Sequence, residues 1–107
     1  MTLSNKYNIQ ITDNFKDEIA NVIDYIVDKL KEPVIAYRIY DKVIKQISKL
    51  DFMPYRYPKI QNYSNRQKDL RKLSVYSFRI IYEIDNNSKQ VFILHIFHST
   101  QDYFNLL

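Results

Sequence analysis

The 107-residue chain contains no glycine and no cysteine, and only three prolines. Without glycine it cannot form a Gly-rich loop whose bare backbone cradles phosphate. That removes P-loop and Rossmann dinucleotide readings, and with them most nucleotide-cofactor enzymes. Without cysteine, disulfides and thiolate metal sites are excluded and secretion gains no support. No apolar run approaches the roughly 18 residues of a membrane span. The polar stretch Thr2 to Asn8 is not the start of a signal peptide. A cytoplasmic protein with no membrane partner and no cofactor is expected. Asn62-Tyr63-Ser64 and Asn86-Asn87-Ser88 fit the glycosylation pattern, but in such a chain they read as turn chemistry.

What the chain has in quantity is tyrosine, ten residues, and an uneven distribution of charge. Residues 1–54 carry eight Lys/Arg and eight Asp/Glu, whereas residues 55–107 carry eight and four, which accounts for the whole net charge of +4. Arg56, Lys59, Arg66, Lys68, Arg71, Lys72 and Arg79 face a single acid, Asp69, across residues 56–79. Such a segment suits phosphates or an acidic partner chain. It equally suits a strand edge kept from aggregating by Lys and Arg. The charges alone leave both open.

At this length one domain, 1–107, is expected. Tyr7, Ile9 and Ile11 alternate with polar residues as in a half-buried strand. Thr12, Asp13 or Asn14 can cap a helix carrying Phe15, Ile19, Val22, Ile23, Ile26 and Leu30 as one apolar stripe. Pro33 ends it and suits the first turn of a second helix, about Val34 to Leu50, with Tyr40, Val43, Ile44, Ile47 and Leu50 on one side. Tyr25, Tyr37 and Tyr40 read as core or helix-packing residues. The pattern dissolves between Asp51 and Lys68. Strands return at Arg71 to Val75, with Leu73 and Val75 buried, at Phe78 to Ile84, and at Val91 to His98. The last is apolar on both faces, as a central strand would be. Asp85-Asn86-Asn87-Ser88 makes the final hairpin turn, with Asn supplying the positive φ. A short helix over Gln101 to Leu107 could close the sheet. The expected fold is a two-layer α+β domain: an opening strand, an antiparallel helical hairpin, then three strands of a mostly antiparallel sheet.

Arg79 has the parity of Ile81 and so projects from the outer face of the sheet, where a guanidinium on a rigid strand can grip a phosphate bidentately. A surface ion pair with Glu83 is the other use open to it. Alternation gives His95 the parity of Val91, Ile93 and Phe97, and sets His98 on the opposite face, so the two cannot share a metal. His98, at the strand end, can act as a proton donor near neutral pH or serve the structure. Tyr55, Tyr57, Tyr63 and Tyr76 interleave with the cations, as where bases stack beside neutralised phosphates.

These pieces, taken in order, resemble the RelE/ParE superfamily of toxins from bacterial type II toxin–antitoxin systems. The resemblance covers nearly the whole chain. It is carried by the strand before Phe15-Lys16-Asp17, Asp24-Tyr25-Ile26, Ala36-Tyr37-Arg38, and Leu50-Asp51-Phe52-Met53-Pro54 with Tyr57-Pro58. Leu70-Arg71-Lys72-Leu73-Ser74-Val75, Phe78-Arg79-Ile80-Ile81-Tyr82-Glu83-Ile84, and Val91 through His98 with Gln101-Asp102 complete it. RelE-like members are metal-independent, ribosome-dependent endoribonucleases that cut messenger RNA, the 2′-hydroxyl attacking the adjacent phosphate. ParE-like members bind and poison DNA gyrase without chemistry. In both, a cognate antitoxin wraps a segment around the toxin.

The resemblance implies Arg79 on the phosphate, Lys72 in proton transfer or charge stabilisation, and His98 at a position that is catalytic in a subset of members. Arg71, Lys68, Arg66, Arg56 and Lys59 would then bind RNA phosphates. The chain departs from the pattern at Ser99, where that subset has tyrosine, and at Thr100 and Gln101, where many members have arginine. No carboxylate matches a family base. The reading that follows is a messenger-cleaving endoribonuclease, with the non-enzymatic gyrase poison as the alternative.

Overall fold

The computed structural model describes residues 6–60 and 68–99. Arg66, the loop over 61–67 and the helix expected over 101–107 lie outside the described residues. Strand β1 (Asn8–Ile11) leads into helix α1 (Asp13–Asp24), which continues as a π-helical turn, Tyr25–Lys29. Helix α2 (Pro33–Ser48) runs into a short 3-10 turn, Lys49–Asp51, and a second such turn, Pro54–Arg56, follows. Strands β2 (Asp69–Val75), β3 (Phe78–Asp85) and β4 (Gln90–His98) follow among the described residues. Thr12 is the N-cap of α1: its hydroxyl accepts from the Phe15 N–H at 3.2 Å and donates to the Ile93 carbonyl at 2.7 Å. Pro33 opens α2, where its missing N–H would have had no partner.

The sheet order is β1-β4-β3-β2, with β1 parallel to β4 and the other pairs antiparallel. The helical hairpin covers one face. Phe15, Ile19, Val43, Ile47 and Leu50 pack there against Leu73, Ile80, Tyr82, Val91 and Ile93. A smaller cluster of Ile60, Leu70, Ile81 and Phe97, with Leu94 against it, lies on the other face. β3 and β4 therefore bury residues on both faces, which the sequence implied for β4.

Four local features differ from the alternation read in the sequence. The bond from Leu30 N–H to the Tyr25 carbonyl widens the last turn of the first helix and re-phases it, leaving Leu30 exposed. On α2 the buried line is Ala36, Val43 and Ile47, continued by Leu50 in the turn that follows, and Tyr40 and Ile44 turn outward. Tyr25, Tyr37 and Tyr40 are accordingly exposed rather than core residues. In the β3–β4 hairpin the positive φ falls on Lys89, while the Asp85 carboxylate accepts from the N–H groups of Asn87 and Ser88.

The fourth is a bulge in β4. Ile81 pairs with His95 and Tyr82 with Ile93, so Leu94 is the extra residue. Beyond it the parity reverses: Ile96 joins the helix-side core with Val91 and Ile93, and His95 aligns with Ile81 on the other face. There β1 has already ended, and α1 side chains take over the edge of β4. Glu18 accepts from the Ile96 N–H at 3.1 Å and lies 3.2 Å from His95 Nδ1. Asn14 donates to the Leu94 carbonyl at 3.1 Å.

Candidate functional site

Strand pairing sets Arg79 opposite Ser74 on β2 and Phe97 on β4, with Lys72 opposite Ile81 two pairs further on. Both cations therefore stand on the face away from the helices, beside the small apolar cluster. Arg79 is half-buried, and its Nη1 donates to the carbonyls of Phe78 at 3.1 Å and Tyr76 at 3.4 Å. These bonds fold the side chain back over the β2–β3 turn. Among the described residues no ion pair joins it to Glu83 or to any other carboxylate.

His98 pairs with Phe78, and the two rings meet edge to face with centroids 5.6 Å apart. Phe78 packs against the helix-side core. The histidine therefore faces the helices, at the rim of a cleft of about 770 Å³ lined also by Tyr25, Ile26, Leu30, Ile35 and Phe78. Arg79 and Lys72 share one face; His98 stands on the other.

The remaining cations disperse. Arg71 has the parity of Leu73 and Val75 and reaches over the sheet edge into the loop after α2. Its Nε and Nη2 meet the two Asp69 oxygens at 2.9 and 3.3 Å. Its Nη1 donates to the carbonyls of Tyr55 and Tyr57 at 3.1 and 2.9 Å, and its Cζ lies 5.0 Å from the Tyr55 ring centroid. Arg56 donates to the carbonyls of Met53 at 3.3 Å and Phe52 at 3.0 Å. Lys59 is exposed beside an isolated bridge to Arg71, and Lys68 is exposed just before β2. The cationic run in the sequence is thus not one surface. Arg71 and Arg56 are occupied by carbonyls of the loop after α2, as Arg79 is by those of its own turn.

Arg71 and Arg56 belong to a network that residue-by-residue reading missed. Tyr82, buried under the loop, donates to the Pro54 carbonyl at 2.6 Å. Burial pushes its hydroxyl well above the ordinary tyrosine range. Tyr55 is raised to about 12, first by its hydrogen bond with Tyr7 and then by burial. Tyr7 in turn donates to Asn86 at 2.8 Å. The usable signal was parity: a charged residue in step with Leu73 and Val75 needs an inward partner, and Asp69 is in step with it too. Among the described residues no group of three or more His, Asp or Glu side chains could hold a metal ion.

The sequence model of a family described as the ParE toxin of the type II toxin–antitoxin system, parDE, matches residues 9–103. No curated protein sequence matches the chain. Among solved structures, the chromosomal ParDE toxin–antitoxin system of P. aeruginosa is 15% identical with a TM-score of 0.67, covering 88% of this chain and 97% of that one. The archaeal RelE–RelB complex from Pyrococcus horikoshii is 14% identical with a TM-score of 0.61, covering 91% and 99%. The RelBE2 complex of Mycobacterium tuberculosis is 18% identical with a TM-score of 0.58, covering 90% and 94%. At these identities the likeness is one of fold, and the fold is that described above. The match over residues 9–103 carries the assignment: the chain belongs to the ParE toxin family of type II toxin–antitoxin systems, within the RelE/ParE superfamily.

Proposed function

We propose that this toxin acts by binding and poisoning DNA gyrase, performs no chemistry on nucleic acid, and is silenced by a cognate antitoxin. The observation that carries the reading is the separation of Arg79 from His98 by the sheet itself. A nuclease of the kind implied by the resemblance needs a cation on the phosphorane and an acid within hydrogen-bond reach of the leaving oxygen of the same phosphate. Here those two groups look away from each other. The engagement of Arg71 and Arg56 by loop carbonyls points the same way, as does the family match. The cleft beside His98 suits the antitoxin's apolar segment, being lined by Tyr25, Ile26, Leu30, Ile35 and Phe78.

The test is a supercoiling reaction with purified gyrase, titrated with purified toxin, beside primer extension on messages after induction in cells. Inhibited supercoiling with intact messages is expected. Undiminished supercoiling at saturating toxin overturns the reading. One observation favours the endoribonuclease instead: Lys72 and Arg79 are near neighbours on one face. New message ends after induction, lost in Arg79→Ala, would establish that alternative.

A further inference from the structure

The loop after α2 holds a conformation that packing does not explain. Met53 sits in the left-handed region, φ 58° and ψ 58°, directly before Pro54, a position that proline normally drives to extended backbone. Its side chain and that of Phe52 contribute to neither apolar cluster. They are 58% and 57% exposed, with the exposed ring of Tyr55 nearby. Yet the backbone beneath them is fastened almost carbonyl by carbonyl. Arg56 holds those of Phe52 and Met53, Tyr82 that of Pro54, and Arg71 those of Tyr55 and Tyr57. A backbone bridge from Phe52 to Lys6 secures the other flank.

Two adjacent apolar side chains are thus presented on a scaffold that has already lost its conformational freedom. That condition lowers the entropic cost of binding a partner. The surrounding charge indicates which partner. Lys49, Arg56 and Lys59 are exposed along the same loop, and its one acid, Asp51, is met by Lys6 at 3.6 Å. The complement is a protein surface with an apolar socket inside an acidic rim. The loop lies towards the Tyr82 end of β3, whereas the cleft beside His98 lies at the Phe78 end, so the two surfaces can be occupied separately.

We propose that this loop is the toxin's contact with its protein target, Phe52 and Met53 entering such a socket; the proposal rests on the poison reading above. The decisive variant is Phe52→Ser/Met53→Gly, because glycine accepts the left-handed backbone and the fold keeps its fastenings. Expected is a loss of gyrase inhibition of about tenfold or more, as when a buried apolar anchor is removed. The thermal transition should be no lower, and binding of the cognate antitoxin should be unchanged. A second variant, Lys49→Glu/Lys59→Glu, should weaken inhibition and reduce its salt dependence. Full potency of the first variant overturns the proposal, and so does loss of antitoxin binding, which would assign the loop to the antitoxin. Should the unaltered toxin leave gyrase untouched, the poison reading fails and growth arrest decides the loop. Arrest retained by the variant then overturns it, and arrest lost with antitoxin binding intact upholds it against a different target.

Discussion

Tyr82 and Arg71 join the sheet to the loop that carries the exposed apolar pair. Tyr82→Phe removes the only side-chain donor described for the Pro54 carbonyl. Its expected cost is about 1–2 kcal/mol, read from urea denaturation. Arg71→Ala breaks bonds to a carboxylate and two carbonyls together, and should cost about 2–4 kcal/mol. The tyrosines also set an alkaline limit. Both Tyr82 and Tyr55 hold their protons more tightly folded than unfolded, Tyr82 through burial and Tyr55 up to about 12. The unfolded chain, whose tyrosines ionise near pH 10, therefore sheds protons first. Their contribution is complete below about pH 10 and is lost as pH rises towards 12 and beyond. Denaturation midpoints at pH 8 and pH 11 should differ more for the native sequence than for Tyr82→Phe.

Among the elements, the edge of β4 depends on one carboxylate. Glu18→Ala leaves the Ile96 N–H without its acceptor, and should cost about 1–2 kcal/mol while speeding hydrogen exchange at that amide. The absence of glycine has its own consequence. Lys31, Met53, Tyr76 and Lys89 all take positive φ, which glycine adopts without strain. Lys31→Gly, in the exposed link between the helices, should raise stability by about 1 kcal/mol, visible as a higher melting temperature. The order of elements, a cap among Thr12, Asp13 and Asn14, and the Pro33 start were legible because each is a local matter of period or capping chemistry. The π turn at Tyr25 and the bulge at Leu94 were not. Each adds a residue to a repeat without altering residue types, so periodicity read straight through them gave Leu30 and His95 the wrong sides. Arg79 lies on a strand of regular alternation, and the outer face given to it by its parity with Ile81 is the one it takes.

For the whole molecule, the sheet divides the surface into a side holding Arg79 and Lys72 and a side holding His98 and the cleft. Arg79 spends its bonds on the carbonyls of its own turn. Arg79→Ala toxin should therefore inhibit gyrase and arrest growth within about twofold of the unaltered protein, this being a surface change away from the proposed contact. A fall beyond tenfold, with message cleavage in the parent, would show the arginine at work on RNA. Leu94 is a lone insertion in an otherwise regular ribbon. Excise it, and Ile93 would adjoin His95 in an unbroken ladder, with the imidazole at position 98 still set against Phe78. The opposition of that imidazole to the guanidinium at 79 is therefore written into cross-strand partnership itself, and survives loss of the inserted residue.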